Sequence, residues 1–585
     1  MPGSDVQNLL HQAVEHHQAG RLREAEGIYR QVLSADPNQP DALHLLGMVA
    51  LAGNEPDRAA DLISRAIAIQ PRVADFHYNL GIAKMMLGRA AEAAEAFGRA
   101  VALDPMLFPA HSNLAAAFMA VQQYERAIET SKAALALNPD HGETWNNYGV
   151  ALKELGRVDE AIDALRRAAR LAPNSPEPLT NLGNALQRKR DFAAAVEMHR
   201  RAIAIRPDAP ELHNNLGSAL YDMLEYEQAI EAYKRALEFR PDYREALTTL
   251  ANSYYRLGRL AEGIAHGRRA VELWPESALP KFNLSLMLLS NGEFAEGWRL
   301  NEARWDVPRL NDPKRKIPRP RWDGSELNGK TILLHGEQGF GDTIQFVRYI
   351  PMVRAKGGRI ILGCQEELIR LLRRFEDVEQ ILSRADGSLQ FDVHCPLMSL
   401  PLMFGTDETN IPAPESYLAA DPVLVEQWRE RMSMPEGARK IGLVWAGRPT
   451  HENDRNRSMA LAQFSPLLDV AGCKFCSLQK GEPAAQAAQE ARIVDLSDQI
   501  QDFADLAGII ASLDLVISVD TAAAHLAAAM GKPTWVLLPY APDWRWLYGR
   551  DDSPWYPTMR LFRQPRARDW KSVIQRVLEA LESLP

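Results

Sequence analysis

The chain reads as two architectures in series: an all-α superhelix of stacked helix pairs, followed by an α/β region of two doubly wound lobes. Three observations predict this. Prolines fall at Pro37, Pro71, Pro105, Pro139, Pro173, Pro207, Pro241 and Pro275, each 34 residues after the last, the spacing of a repeated helix pair. From Thr331 onward, short apolar runs rich in β-branched residues alternate with helical stretches, the pattern of parallel strands joined by right-handed crossovers. Twice in that region a strand runs straight into a helix start, at TILLHGEQGFGD and at LVISVDTAAAHLAAAMGKP.

The repeats come first in the chain and occupy residues 1–308. Small residues keep the proline register: Gly47, Gly81, Ala115, Gly149, Gly183, Gly217 and Ala251 in each first helix, and Ala25, Ala59, Ala93, Ala127, Ala161, Ala195, Ala229 and Gly263 in each second one. Only small side chains let helix backbones approach closely, so these positions mark the crossings. The period is that of tetratricopeptide repeats, giving about eight full units and a partial ninth ending near Trp305, with a long concave face. Asn79, Asn113, Asn147, Asn181, Asn215 and Asn283 recur two residues before the small residue of the first helix. An amide both donates and accepts, so such a row suits the backbone of an extended peptide acceptor; it equally suits a repeat position where asparagine is simply common.

A connector, 309–329, follows. Pro313, Pro318 and Pro320 among Arg309, Lys314, Arg315, Lys316, Arg319 and Arg321 forbid a regular helix. Trp298 and Trp305 are expected to seal the last repeat against the next domain.

The first lobe, 330–428, alternates Thr331–His335 (strand), Thr343–Arg354 (helix), Arg359–Gly363, Gln365–Phe375 (helix), Gln380–Ser383 and Phe391–Cys395, with a crossing near 417–436. The second lobe, 429–585, restarts with strands Lys440–Trp445, Lys474–Leu478, Arg492–Leu496, Leu513–Val519 and Thr534–Leu538. The final helix, Asp569 to Leu581, is expected to pack back across the lobe junction.

The chemistry gathers at strand ends. Asp520 and Thr521 stand where an N-cap belongs, ahead of Ala522–Met530, and a helix opening at the carboxyl end of a parallel strand offers free N–H groups to a phosphate. His525 lies one turn in. Gly339 and Gly341 allow a sharp turn and close approach to a ligand beside Asp342. Arg448, His451, Arg455 and Arg457 follow one second-lobe strand, Lys480 another, and the run PYAPDWRW a third; the arginines suit a diphosphate and the aromatic run a base, a sugar or a core.

The segments GEQGFGDTIQFVRYIP and SVDTAAAHLAAAMGKP resemble the matching turns of the heptosyltransferases, inverting glycosyltransferases of family 9 with the GT-B fold of two Rossmann-like lobes. The resemblance covers roughly Leu327 to the C-terminus. It implies Asp342 as general base and a donor turn at Asp520 and Thr521, with Arg457 the nearest counterpart of the family's basic residue at the phosphates; the sequence departs at Ala522, where the family has glycine. By their positions, Gly339, Gly341, Lys480, Ala522 and His525 are expected to complete the donor site. The resemblance also implies a nucleotide-diphosphate sugar as co-substrate, with no other cofactor and no metal. Repeats followed by a GT-B region, with an asparagine ladder, are similar to the architecture of O-linked N-acetylglucosamine transferase, which implies a protein acceptor on the repeats.

Composition bounds the rest. A net charge of −9 and a pI near 5.9 give no reason to expect nucleic acid. No segment holds 18 apolar residues in a row and the N-terminus has no signal-peptide pattern, so no membrane span and a cytoplasmic location are expected. Four cysteines agree with a reducing compartment, and Cys473 and Cys476 form a lone CxxC best read as structural. Two other readings stay open: an interaction scaffold with an inactive or sensory GT-B domain, and a transferase acting on a lipid-linked glycan.

Overall fold

A computed structural model describes residues 3–308, 310, 317–383, 389–435, 437–451 and 453–584. It divides into two compact units, Met1–Pro241 and Asp242–Pro585.

The first unit is all helical. Its pairs run from α1 (Gly3–Gln18) and α2 (Leu22–Ala35), through α3 (Pro40–Ala52) and α4 (Pro56–Ile69), α5 (Ala74–Met86) and α6 (Ala90–Leu103), α7 (Phe108–Ala120) and α8 (Tyr124–Leu137), α9 (Gly142–Glu154) and α10 (Val158–Leu171), α11 (Pro176–Arg188) and α12 (Phe192–Ile205), to α13 (Pro210–Asp222) and α14 (Tyr226–Phe239). Each second helix stops two residues short of a repeat proline, because the residue before proline is pushed out of the helical region. The crossings are tighter than composition alone implies. A Cβ on Gly47 would lie 2.6 Å from Ile63, on Gly81 2.5 Å from Phe97, on Gly149 2.6 Å from Leu165, on Gly183 2.5 Å from His199 and on Gly217 2.6 Å from Tyr233. The glycine therefore receives the large side chain sixteen positions on in the same unit. Where that side chain is small, as at Ser131 and Gly267, the glycine position holds Ala115 and Ala251.

The second unit begins with two more helix pairs, α15 (Arg244–Arg256) with α16 (Leu260–Leu273) and α17 (Ala278–Ser290) with α18 (Phe294–Asn301), closed by a 3-10 turn at Glu302–Asp306. These repeats pack with the lobes that follow. Trp298 is buried, donates to Thr406 O at 3.0 Å, and meets Trp544 edge-on at 5.1 Å. Trp305 is half-buried against His335. Arg309, Pro313, Lys314, Arg315 and Lys316 of the connector lie outside the described residues. Past them, Arg321 bridges to His394 and Trp322 is buried, so the connector's end is a braced joint.

In the first lobe β1 (Thr331–His335), β2 (Arg359–Gly363), β3 (Gln380–Leu382) and β4 (Val393–Pro396) form a parallel sheet in the order β3-β2-β1-β4. The helix expected at Thr343–Arg354 is three pieces, α19 (Phe340–Phe346), a 3-10 turn at Val347–Tyr349 and α20 (Ile350–Ala355), broken ahead of Pro351. Then come α21 (Glu366–Leu372), α22 (Leu400–Met403) and the crossing helix α23 (Pro422–Met432).

The second lobe contains β5 (Arg439–Val444), α24 (Asp454–Arg457), α25 (Ser465–Leu468), β6 (Cys473–Ser477), β7 (Ile493–Asp495), α26 (Phe503–Ala511), β8 (Leu515–Val519), α27 (Ala522–Ala529), β9 (Thr534–Leu538), β10 (Asp552–Ser553), β11 (Tyr556–Arg563) and α28 (Trp570–Glu582). The sheet order is β10-β11-β9-β8-β5-β6-β7, parallel apart from the β10–β11 pair. The expectation for the final helix is corrected: Val573, Ile574, Val577 and Leu581 of α28 are buried in the second lobe's own core, beside Ile441, Phe475 and Phe562. Its amphipathic stripe has an apolar sheet face within reach and covers it.

Cys364, Cys395, Cys473 and Cys476 are buried free thiols. Among the described residues no helix is long and apolar enough to cross a membrane, and no group of three or more His, Cys, Asp or Glu is arranged to hold a metal ion.

Candidate functional site

In each sheet the strand order reverses once, between β1 and β4 in the first lobe and between β5 and β8 in the second. Open α/β sheets bind ligands outside the carboxyl ends of strands at such a switch point. The segments that follow β1, β5 and β8 carry Asp342 in α19, Arg457 in α24 and Asp520 ahead of α27.

The two switch points meet. Helix α19 packs on α27, and Gly341 sits so close to α27 that a Cβ there would lie 2.9 Å from the His525 ring. The smallness of Gly341 is thus used for approach to a protein helix. Neither Gly339 nor Gly341 has a positive φ, and the Asp342 Oδ2 accepts the Gly339 N–H at 2.8 Å, capping α19.

Asp342 Oδ1 pairs across the cleft with the Nη2 of Arg545. Arg545, in the loop after β9, also donates to Asp543 Oδ1 at 2.7 Å and to Gln345 Oε1 at 2.5 Å, and its side chain is only 9% exposed. Burial opposes its charge, but Asp543, Asp342 and Asp520 outweigh that and hold the guanidinium protonated above its ordinary range. Sequence reasoning passed over Arg545 inside an aromatic run. The signal that marks it is its place after a parallel strand's carboxyl end, where a charged residue faces the cleft.

Asp520 stands half-buried at the end of β8; burial first, and Asp543 next, raise its carboxyl above the usual range against the pull of Arg457. Thr521 caps α27 without a side-chain cap bond. Ser518 donates to Val519 O at 2.6 Å, so the 3.0 Å contact between the two hydroxyls is donated by Thr521. Ala522, half-buried, opens the helix. The first N–H groups of an eight-residue helix such as α27 have no intrahelical acceptor.

Arg457 reaches over from α24 and donates through Nη1 to Asp520 O at 3.0 Å, joining the loops of β5 and β8. Its Nη2 lies against Gly447, where a Cβ would approach to 2.6 Å, and its buried Nε has no hydrogen-bond partner. Gln479, which follows the strand β6, secures that loop: it accepts from the N–H groups of Trp445 and Ala446 and donates to Ala446 O. Lys480 next to it donates to Ser497 O at 2.6 Å and Ile500 O at 2.8 Å, so its charge is committed to that loop. Arg448 lies over Phe340 at 5.8 Å, and Phe340 meets Phe503 of the other lobe at 4.9 Å.

His525 is buried, shares a 2.8 Å hydrogen bond with the Tyr556 hydroxyl and stacks on Trp546. Burial, then Arg545, Arg348 and Arg457, push its pKa far down, so the imidazole is neutral. It lines the lobe contact as a packed, neutral group.

Within the repeats, Asn79 is buried and hydrogen-bonds His44 Nε2 at 2.8 Å, Asn113 donates to Tyr78 OH at 3.2 Å, and Asn181 donates to Asn146 Oδ1 at 2.9 Å. These amide nitrogens tie successive first helices together, leaving the Oδ1 atoms as the row's remaining acceptors. Asn147 and Asn215 are half-buried in the same register. Asn283, in the second unit, is buried.

Both parts of the chain have counterparts among known proteins. Family models of the tetratricopeptide repeat match residues 16–79, 74–106, 113–176, 179–206, 210–243 and 248–297. The model of glycosyltransferase family 9 (heptosyltransferase) matches residues 473–546, from β6 to just past Arg545. The Caulobacter vibrioides protein FlbA is 30% identical over 334 residues, which are 52% of this chain and 55% of FlbA, so the chain spans about half of that relative. Among solved structures, the APC/C hetero-tetramer Cut9-Hcn1 aligns with a TM-score of 0.36 at 20% identity, over 49% of this chain and 57% of that one. The Pseudomonas aeruginosa protein pilF aligns with a TM-score of 0.32 at 23% identity, over 36% and 95%. The chain thus carries tetratricopeptide repeats and, in its second lobe, a segment similar to glycosyltransferase family 9.

Proposed function

We propose that the lobes form an inverting glycosyltransferase that moves a sugar from a nucleoside diphosphate to a hydroxyl of a protein segment held by the repeats. The observation that carries the reading is the meeting of two switch-point turns at the lobe junction, where Asp342 pairs with Arg545, whose charge Asp520 also supports, and α19 packs on α27. The family 9 match over residues 473–546 supports the donor half, and the repeats support a protein acceptor.

In this mechanism the acceptor oxygen forms a bond to the anomeric carbon as the bond from that carbon to the diphosphate breaks. The acceptor proton goes to Asp342, and the electron pair leaves with the diphosphate. The N–H groups at the start of α27 and Arg457 stabilise the departing charge with dipoles and a cation already in place. Arg545 fixes the Asp342 carboxylate by its pairing on Oδ1, while the Gly339 N–H fixes Oδ2. No cofactor or metal is invoked, and a cytoplasmic setting suits a nucleotide-sugar donor.

The test is thermal stabilisation of the full chain by a panel of uridine, guanosine, adenosine, cytidine and thymidine diphosphates and their sugars, with Asp520→Ala as control. Donor at about a hundred times its Kd adds roughly 2.7 kcal/mol to stability. A shift for one sugar nucleotide, lost in Asp520→Ala, is the expected result. No shift for any member, with the chain folded, overturns the reading in favour of a scaffold.

A further inference from the structure

We infer that Arg304, supplied by the last helical repeat, is a positioning residue for the Asp342 turn; what that turn does rests on the glycosyltransferase reading above. Arg304 is 2% exposed and nearly every donor is placed. Its Nε and Nη2 fork onto the two oxygens of Glu337, each at 2.9 Å, Nη2 also reaches Ser399 Oγ at 2.8 Å, and Nη1 reaches Glu302 Oε1 at 2.7 Å and Asn301 O at 3.2 Å. A planar fork on a carboxylate fixes direction as well as distance.

Glu337 is the point where this fork grips the functional loop. It lies two residues beyond the end of β1 and two before Gly339, whose N–H holds Asp342 Oδ2. Burial raises the Glu337 carboxyl against the pull of Arg304, so the carboxylate depends on that partner for its charge.

The other member of the Asp342–Arg545 pair is referenced to the same repeats. Trp544, adjacent to Arg545, is edge-on to Trp298, and the Tyr255 hydroxyl donates to Pro542 O at 3.3 Å. Both sides of the cleft are therefore indexed on helices α15–α18 and the turn after them. The terminal repeat is a working part of the catalytic unit and does more than tether an acceptor.

The experiment uses the full chain with Arg304→Lys, which keeps the charge and loses the fork, and the double variant R304M/E337M, which removes both buried charges should the single change unfold the chain. Three quantities are read: amide exchange over residues 336–343, binding of the nucleoside diphosphate found by the panel, and turnover of its sugar. In Arg304→Lys, exchange over 336–343 rises roughly tenfold or more while that of β8 and α27 stays put. Turnover falls on the order of a hundredfold, as expected for a misplaced catalytic group, with nucleotide Kd unchanged within about twofold. Unchanged exchange at the turn in both variants, or turnover and nucleotide affinity falling together, overturns the assignment. If the wild-type chain binds no nucleotide, the glycosyltransferase reading fails and the exchange comparison alone decides whether Arg304 holds the turn.

Discussion

The tightest quantitative consequence of the fold concerns Gly81. It lies in α5 where α6 crosses, and an added Cβ would stand 2.5, 2.6 and 2.9 Å from three carbons of the Phe97 ring. Ordinary carbon contacts begin near 3.4 Å, so the ring or the helix must move by about 1 Å, and Phe97 is itself buried. In Gly81→Ala, overpacking of this kind costs about 1–3 kcal/mol, against a gain of roughly 1 kcal/mol from replacing a helical glycine. The control is in the next helix: Gly98 of α6 has nothing within 4 Å of its added Cβ. There Gly98→Ala gains the helical term alone and stabilises by about 0.5–1 kcal/mol. Urea titration of both variants, followed by far-UV dichroism and by exchange of α5 and α6 amides, reads the difference in sign. In the Phe97→Ala background the penalty at Gly81 disappears, a coupling of about 1–3 kcal/mol in the double-mutant cycle. Equal stabilisation by both alanines, or no coupling, refutes the size-pairing reading of the repeat.

The remaining predictions address the site and the pH response. Asp342→Asn lowers sugar transfer by about two to four orders of magnitude with nucleotide binding retained, measured by turnover and calorimetry; full activity would remove Asp342 as the base. Arg457→Ala weakens nucleoside diphosphate binding by roughly 10- to 100-fold through loss of a charge-assisted contact, and unchanged affinity would separate it from the diphosphate. His199, buried with its pKa lowered to about 4 from 6.5, is neutral in the folded state. The unfolded chain takes up the proton first as pH falls, so this stability is intact above about 6.5 and is lost downward through that window, about 3 kcal/mol by pH 4. His199→Gln flattens that part of the profile in urea titrations between pH 7 and pH 4, and an unflattened profile refutes the assignment.

What was legible in the chain was whatever repeats or alternates locally. The proline period marked every helix pair, and Thr331–His335, Arg359–Gly363 and Thr534–Leu538 are strands residue for residue. Strand β11 was not legible: Pro557 near its start and Arg560 in its middle interrupt the apolar alternation, and its pairing with β9 makes a strand of it. Helix α26 was hidden because FADLAGIIA is apolar almost all round, which gives periodicity nothing to grip. The site divides the same way. Asp342, Asp520, Thr521 and Arg457 each sit beside a turn that local sequence marks, whereas Arg545 meets Asp342 across 203 residues and Arg304 finds Glu337 from the end of the repeats. Only the packed chain brings those partners together.

The alanine run of α27 has a physical reading that ties the fold to the chemistry. Ala523, Ala524, Ala527, Ala528 and Ala529 are buried, and small side chains there let α19 and α27 approach until Gly341 touches His525. A helix so occupied with packing the two lobes has few side chains left for a ligand. In the proposed mechanism its contribution to an anion comes from backbone N–H groups at its first turn, and the cation that acts with them is Arg457, which follows β5. On that reading, close lobe packing and anion binding draw on different parts of one helix, its side chains for the first and its N-terminal backbone for the second. A larger residue at Gly341, where an added Cβ would lie 2.9 Å from the His525 ring, would accordingly part the lobes and separate Asp342 from Arg545 while leaving the loop charges of the second lobe where they are.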